Sequence, residues 1–429
     1  MKGLPEGIPY LCKYFVSDFI IMNKDHRIEM DFSNIISIEY IGDYENSLFA
    51  ILKVVLRIDI RKRLYILEHK NDIQAHFELS KFPSDIDIEE TMGGLSEAWN
   101  EVFNVYLNDE DDMHDVELLQ TRLDSNEAGD GGGDPSIENT EEENYFETQN
   151  TIELYLFNPE LLKASRYSYN QIYTETTLQW AIGEILTATG HKDVLMSRIE
   201  NTEIYKELLL PPKPAYELLI YLDQHYGLYR KGAIIYYDID LLYILNTNGK
   251  VTAKRKKEWT ETTFLIPNIE ESIPGDGMLK VEDEEIFYPV VGEVSLTINK
   301  ASTMKNVDMG SKMKIVRVDS IEIENYEADQ SYIDKKNTNV SFLKEDNKYT
   351  GEIMEARMEE NEAIIHIHGS NFDVNAFTPN KTFRIVHCDP SKNAKFHGEY
   401  RLAYAYHLIK AASENYMESS HHIVLKKTK

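Results

Sequence analysis

The residues whose types and spacing could do chemistry are histidines and aspartates set among strand-like runs. His366 and His368, in Ile365-His366-Ile367-His368, stand two apart, so on a strand both imidazoles leave the same face. His387, Cys388, His397, His407, His421 and His422 follow in the same region. Two such imidazoles with a third donor from a neighbouring strand would suit zinc or iron, which take nitrogen and sulfur ligands. No C-x-x-C or H-E-x-x-H spacing accompanies them, and the preferred reading is histidines on the half-exposed face of a barrel. Asp223, Asp238 and Asp240 could supply the paired carboxylates of a glycosidase. Asp238 and Asp240, however, break a hairpin, where aspartate is favoured for local reasons. The chain also lacks a G-x-S-x-G elbow and a phosphate-binding glycine loop. No catalytic, cofactor-binding or metal-ligating residue is therefore assigned, no cofactor is called for, and the chain reads as a non-enzyme.

Twenty-seven tyrosines offer another kind of function. The run Tyr216, Tyr221, Tyr226, Tyr229, Tyr236, Tyr237 and Tyr243 could stack on sugars or bases. Tyrosine joins a large ring to a polar tip, however, and core or protein-interface roles are preferred. The single strongly basic run, Lys254-Arg255-Lys256-Lys257, reads as a solvated turn beside Glu258 and Glu261.

The elements that must position these residues follow from pattern. Thr176 and Gln179 form a T-x-x-Q capping box, and Leu178, Ala181, Ile182, Ile185 and Leu186 recur at helical spacing up to Gly190. After Pro211, Pro212 and Pro214, residues Ala215, Leu218, Leu219 and Leu222 mark a second helix closed by Gly227. Residues 233–237 and 241–245 then read as a hairpin. Around this centre the chain is strand-rich. On the N-terminal side runs fall at Tyr14 to Ile21, Ile35 to Tyr40, Leu48 to Ile60, Leu64 to Leu67, Ala75 to Leu79, Val102 to Leu107 and Thr151 to Phe157. On the C-terminal side they fall at Val290 to Ile298, Met313 to Ile323, Val340 to Leu343, Ala363 to His368, Thr382 to Val386, Tyr400 to Leu408 and Ile423 to Leu425. In the run from Tyr400, the even positions Tyr400, Leu402, Tyr404, Tyr406 and Leu408 share one face, opposite Arg401, Ala403, Ala405 and His407.

Length and charge bound the rest. A chain of 429 residues exceeds what one core usually fills. A formal charge of −29 opposes nucleic-acid binding as a main activity, yet lets DNA pass without sticking. Residues 108–148 carry fifteen Asp or Glu against one Arg and include Gly131-Gly132-Gly133, so this segment reads as a mobile acidic insertion. Two cysteines, Cys12 and Cys388, fit a reduced compartment. No long apolar segment calls for a membrane or an export signal. The fold class is mainly β with an α+β middle: two antiparallel β-barrels flanking a small α/β domain. Boundaries fall at 1–165 for the first barrel with its insertion, 166–284 for the α/β domain and linker, and 285–429 for the second barrel.

Three stretches carry a resemblance. They are Thr151 to Phe157 leading to Thr176-Thr177-Leu178; Glu207 to Pro212 through Tyr216, Leu222, Tyr226-Gly227 and Tyr236-Tyr237-Asp238; and Thr378-Pro379-Asn380 to Tyr400-Arg401. On these the chain resembles the central baseplate hub proteins of contractile-tailed bacteriophages and related injection systems, the late control protein D-like family. The resemblance implies two tube-type barrels per chain and a homotrimer whose six barrels match the sixfold tail tube above and a threefold spike below. It further implies a place in the virion's tail baseplate after synthesis in the host cytoplasm. Its expected partners are tube or tube-initiator proteins, the central spike, tape measure protein and neighbouring baseplate proteins. DNA would pass through the channel without specific binding. Two other functions remain open from the residues: a tail-associated metal-dependent hydrolase, from the histidines, and a receptor- or carbohydrate-binding module, from the tyrosines.

Overall fold

The computed structural model describes residues 12–83, 96–107, 151–229, 232–247, 261–266, 281–282, 285–289, 294–299, 312–318, 338–344, 362–387, 396, 398–413 and 415–428. The acidic insertion at 108–148, the basic run at 254–257 and Cys388 lie outside them.

Alternating apolar positions build the first set of strands: β1 (Cys12–Met22), β2 (Arg27–Glu29), β3 (Ile35–Asp43), β4 (Ile51–Arg57), β5 (Gln74–Pro83), β6 (Ser96–Leu107) and β7 (Thr151–Phe157). In β7 the inward positions Ile152, Leu154 and Leu156 are buried and their neighbours half-buried, as the period of two requires. One expectation fails here. The runs drawn through Ile60 and over Leu64 to Leu67 are not strand but helix α1 (Ile60–Glu68). The Asp59 carboxylate accepts from the amides of Arg61 and Lys62, satisfying two of the orphan donors of a helix start. Ile66 and Leu67 then meet the core at helical spacing.

The central unit contains α2 (Pro159–Arg166), β8 (Ser168–Thr176), α3 (Leu178–Thr189), β9 (Val194–Met196), β10 (Tyr205–Pro214), α4 (Ala215–Tyr226), β11 (Ala233–Tyr237) and β12 (Leu242–Asn246). Helix α2 was not anticipated, although Asn158 as cap, Pro159 at the first position and Glu160 next to it form a start signal. The cap of α3 is Thr177, not Thr176: its hydroxyl accepts from the Trp180 amide at 3.3 Å. Thr176 is held instead in β8, paired with Tyr205. The apolar faces of α3 and α4 pack as their spacing implies, with Leu178, Ala181, Ile182, Ile185, Leu218, Leu219 and Leu222 in one buried cluster.

The last set comprises β13 (Glu261–Ile266), β14 (Val281–Glu282), β15 (Glu285–Pro289), β16 (Val294–Asn299), β17 (Lys312–Val318), β18 (Thr338–Lys344), β19 (Glu362–Ser370), β20 (Thr382–His387), β21 (Glu399–Ala411) and β22 (Met417–Lys427). Hydrogen-bonded neighbours run β1, β5, β6, β7, β4, β3, β21, β22 and back to β1, a closed ring of eight strands, antiparallel at every step. Six of these come from the N-terminal segment and two from the C-terminus. The hairpin of β21 and β22 is divided along its length. Tyr404 to Lys410 pair with β3, whereas Phe383 and Arg384 of β20 pair with Tyr400 and Glu399. On the other side β1 meets Met417 and β19 meets Ser420 to Lys426. The same sheet thus continues through the hairpin into β19 and β16 on one side and β20, β13, β15 and β14 on the other. Strands here depart from the antiparallel order expected of a second barrel: β13 runs parallel to β15 and β20, and β17 to β18. Residues 267–284 and 319–337 give the long connections that parallel neighbours require.

One buried cluster fills the ring and extends along the sheet to β19 and β20. The β11–β12 hairpin closes it from the side. Ile234, Tyr236, Tyr243 and Leu245 pack on the ring core, while Tyr237, Leu242 and Ile244 face the helices. Burial on both faces explains why Leu242 to Leu245 is an unbroken apolar run. Backbone bonds from Ala50 to the Tyr237 carbonyl and from Tyr237 to the Leu48 carbonyl, both 2.8 Å, join this hairpin to the entry of β4.

Candidate functional site

A register shift between Leu402 and Tyr404 reverses the faces of β21. Beyond it Ala405, His407 and Ile409 are buried and Tyr404, Tyr406 and Leu408 are half-buried, the opposite of strict alternation from Tyr400. The bulge therefore turns His407 inward, where it is 1% exposed, and His421 of β22 is 3% exposed beside it. The half-exposed face expected of the histidines holds for His366, His368 and His422, but not for these two.

The hydrogen bonds fix which nitrogen carries each proton. Nε2 of His421 accepts from the Phe372 amide at 3.0 Å and lies 2.7 Å from the Ser419 hydroxyl, so this nitrogen bears no hydrogen. A neutral His421 must then carry its proton on Nδ1 and donate it to Nδ1 of His407, 2.7 Å away. His407 in turn bears its own proton on Nε2, and this buried N–H finds no partner among the described residues. Both rings are held neutral. Burial lowers the His407 pKa to about 3, only partly opposed by Asp373, and burial with the neighbouring His407 lowers that of His421 well below the usual value.

His407 lines a cavity of about 350 Å³ where β3, β5, β6 and β21 meet the turns at 238–240 and 373–378. The Tyr40 ring stacks on His407 at 5.3 Å and lies 5.8 Å from Trp99, giving the cavity an aromatic wall. Lys81 donates to both oxygens of Asp373 at 2.7 and 2.6 Å. Burial raises the Asp373 pKa, but the charge and hydrogen bonds of Lys81, the Asn375 amide and Lys381 together outweigh it and hold the carboxyl below the usual range. Lys381, 2% exposed, donates to the Asn375 carbonyl. Tyr14 secures the same turn from β1, donating to the Phe372 carbonyl at 2.5 Å and accepting from the Val374 amide at 3.0 Å.

Of the aspartates singled out by sequence, Asp240 lines this cavity, and Asp223 and Asp238 are taken up by hydrogen bonds that hold the fold. Asp223 accepts from the amides of Leu228 and Ala233, tying the end of α4 to β11. Asp238 accepts from the Tyr40 hydroxyl at 2.9 Å and from its own neighbour Ile239 at 2.8 Å, and Tyr40 lies 2.8 Å from the Tyr44 hydroxyl. Asn158 donates to the carbonyls of Asp238 and Ile239. This buried knot docks the central hairpin on the ring. Replacing Asp238 with alanine is expected to cost about 2 to 3 kcal/mol, because two buried donors lose their acceptor. Asp238→Asn, which keeps an acceptor oxygen, should cost distinctly less; equal losses in urea unfolding would contradict this assignment.

On the outer face His366 Nδ1 lies 3.2 Å from His422 Nε2, and His368 stacks on His422 at 4.2 Å. Among the described residues no three His, Cys, Asp or Glu side chains converge in a way that could hold a metal ion. His387 pairs at the backbone with Ile266, and His397 lies outside the described residues. Of the tyrosine run, Tyr229, Tyr236, Tyr237 and Tyr243 are core residues. Among the described residues no helix is long and apolar enough to cross a membrane. What pattern reading missed is the inward histidine pair, since nothing in the sequence signals the β-bulge that reverses β21.

Several solved structures align with the whole chain at low identity. The tail protein from Neisseria meningitidis MC58 is 6% identical, with 96% of each chain covered and a TM-score of 0.47. The 43 kDa tail protein of prophage MuSo2 from Shewanella oneidensis is 9% identical, with 95% of this chain and 96% of that one covered and a TM-score of 0.44. The lidded Francisella PdpA-VgrG complex is 8% identical and has a TM-score of 0.48, and the chain spans 54% of the matched chain's length. No curated protein sequence matches. The family model described as Bacteriophage PBS1 gene 109 protein matches residues 12–428, nearly the full length. The chain belongs to the Bacteriophage PBS1 gene 109 protein family.

Proposed function

We propose that this protein is a structural component of a phage tail: a baseplate hub whose homotrimer joins the sixfold tail tube to the threefold central spike. The observation that carries the reading is the shared hairpin. By pairing with the closed ring on one part of their length and with β19 and β20 on another, β21 and β22 join two strand-built bodies. Three copies would then offer six such bodies to the tube. The bacteriophage family and the three stretches that carry the hub resemblance support the same assignment.

An eight-stranded ring is just wide enough for its own side chains to fill. Here that interior holds Val54, Leu56, Phe77, Leu79, Phe103 and Leu154, all fully buried, so a DNA conduit has to form between copies. A formal charge of −29 suits the lining of such a conduit, since it repels the phosphate backbone. The role is mechanical rather than catalytic. Light scattering of the purified protein, alone and with tube and spike proteins, tests the proposal. Three times the chain mass is the expected result; a strict monomer in the presence of both partners would overturn it.

A further inference from the structure

We propose that the free edge of β8 receives one extended, basic segment of a partner protein as an added strand, whether or not the hub assignment holds. Strand β8 pairs with β10 and with no other strand among the described residues. A cleft of about 470 Å³ is lined by every residue from Ile172 to Thr177 together with Trp180 of α3. Successive side chains of a strand leave opposite faces, so a cleft touched by consecutive residues follows the edge and not a face. No β10 residue lines it, which puts it on the side away from β10. The backbone groups from Tyr169 to Glu175 have no backbone partner outside the β8–β10 pair among the described residues. Proteins commonly guard such an edge with lysine or proline, and Ser168 to Thr174 contains neither, nor any other charged residue.

An added strand would find apolar ground on both faces. On the outer face Ile172, 63% exposed, stands opposite Leu209, 47% exposed, in the register of β8 with β10. On the other the Trp180 ring, 48% exposed, sits edge-on to Tyr173 at 4.8 Å. Main-chain bonds to a free edge, with alternate side chains in flanking apolar sites, are a general mode of peptide recognition. Charge selects the occupant. Glu175 is the one charged residue of the lining, and Glu184 stands one turn beyond Trp180 on the same face of α3. A second copy of the chain would bring its own −29 and a β8 with no lysine or arginine from Ser168 to Thr176, setting like charges together. A segment that alternates apolar side chains with lysine or arginine avoids this and places its cations beside the two carboxylates.

Fluorescence anisotropy of labelled nine-residue peptides, alternating valine or isoleucine with lysine or threonine, tests this on the full chain. Saturable binding by at least one peptide is expected, with the amides of residues 168–176 becoming protected from hydrogen exchange in the unaltered protein. Trp180→Ala and Ile172→Ser, both at exposed positions, should weaken that binding tenfold or more, and Tyr106→Ser, exposed on β6, should leave it unchanged. The fully N-methylated peptide should not bind. Equal binding of the N-methylated peptide or of one with glutamate in place of lysine, protection confined to other segments, or no binding by any peptide would overturn the proposal. So would self-association of the chain that Ile172→Ser abolishes, since the edge would then belong to a second copy.

Discussion

Deleting residues 399–428 is expected to abolish cooperative folding of the whole N-terminal segment, not merely of the segment that carries the cut. Without β21 and β22 the ring loses two of its eight staves, leaving β1 and β3 with bare edges facing one another. Tyr400, Leu402, Ile409, Met417, Ile423 and Leu425 are all buried, and each large apolar side chain contributes about 1.5 to 3 kcal/mol. Their combined loss, on the order of 10 kcal/mol, matches the total stability of an ordinary domain. Glu45 would also lose both of its cations, Arg401 at 2.6 Å and Lys426 at 2.5 Å. Circular dichroism through a urea titration and the soluble fraction on expression measure the outcome. A soluble fragment with a sharp unfolding transition would show that residues 12–165 form a barrel unaided, and the shared-hairpin account would fail.

That expectation could not have been reached from pattern alone. Alternation told which stretches are strands, and for β7, β11 and β12 it gave their limits to within a residue or so. Helix faces were equally legible, because Leu178 to Ile185 and Ala215 to Leu222 pack on a single side of each helix. Partnership between strands was not legible. The pairing of β21 with β3 joins residues more than 350 positions apart, and no local feature of either strand names the other. Local chemistry also won twice over periodicity. The Asp59 cap turned an alternating stretch into a helix, and one bulge after Leu402 exchanged the two faces of β21. The second case matters more, since it moved His407 from an outer face into the cavity.

The buried histidine pair makes the fold acid-sensitive in a definite window. A histidine has a pKa of about 6.5 in the unfolded chain, whereas burial holds His407 at about 3 in the folded one. Between these values the unfolded state binds more protons, so stability is fully present above pH 6.5 and falls as pH drops towards 3. At about 1.4 kcal/mol per pH unit, the loss reaches on the order of 4 kcal/mol by the bottom of the window. His421 acts in the same direction, being the group bonded to His407. Asp373 faces the pair and partly favours the charged form of His407, while Lys81, Lys381, Asp238 and the Tyr40 ring share the cavity. Asp373 has its own acid limb, lying below the usual carboxylate pKa because its folded value is lowered, and so it does not overlap the upper half of the histidine window. His407→Gln keeps a side-chain oxygen that can accept from Nδ1 of His421 and removes the titration. Urea midpoints measured from pH 7 to pH 4 should therefore decline steeply in the parent and markedly less in the variant. Parallel declines would mean that the pair is already charged in the folded state, and the tautomer chain from Phe372 through His421 to His407 would have to be abandoned.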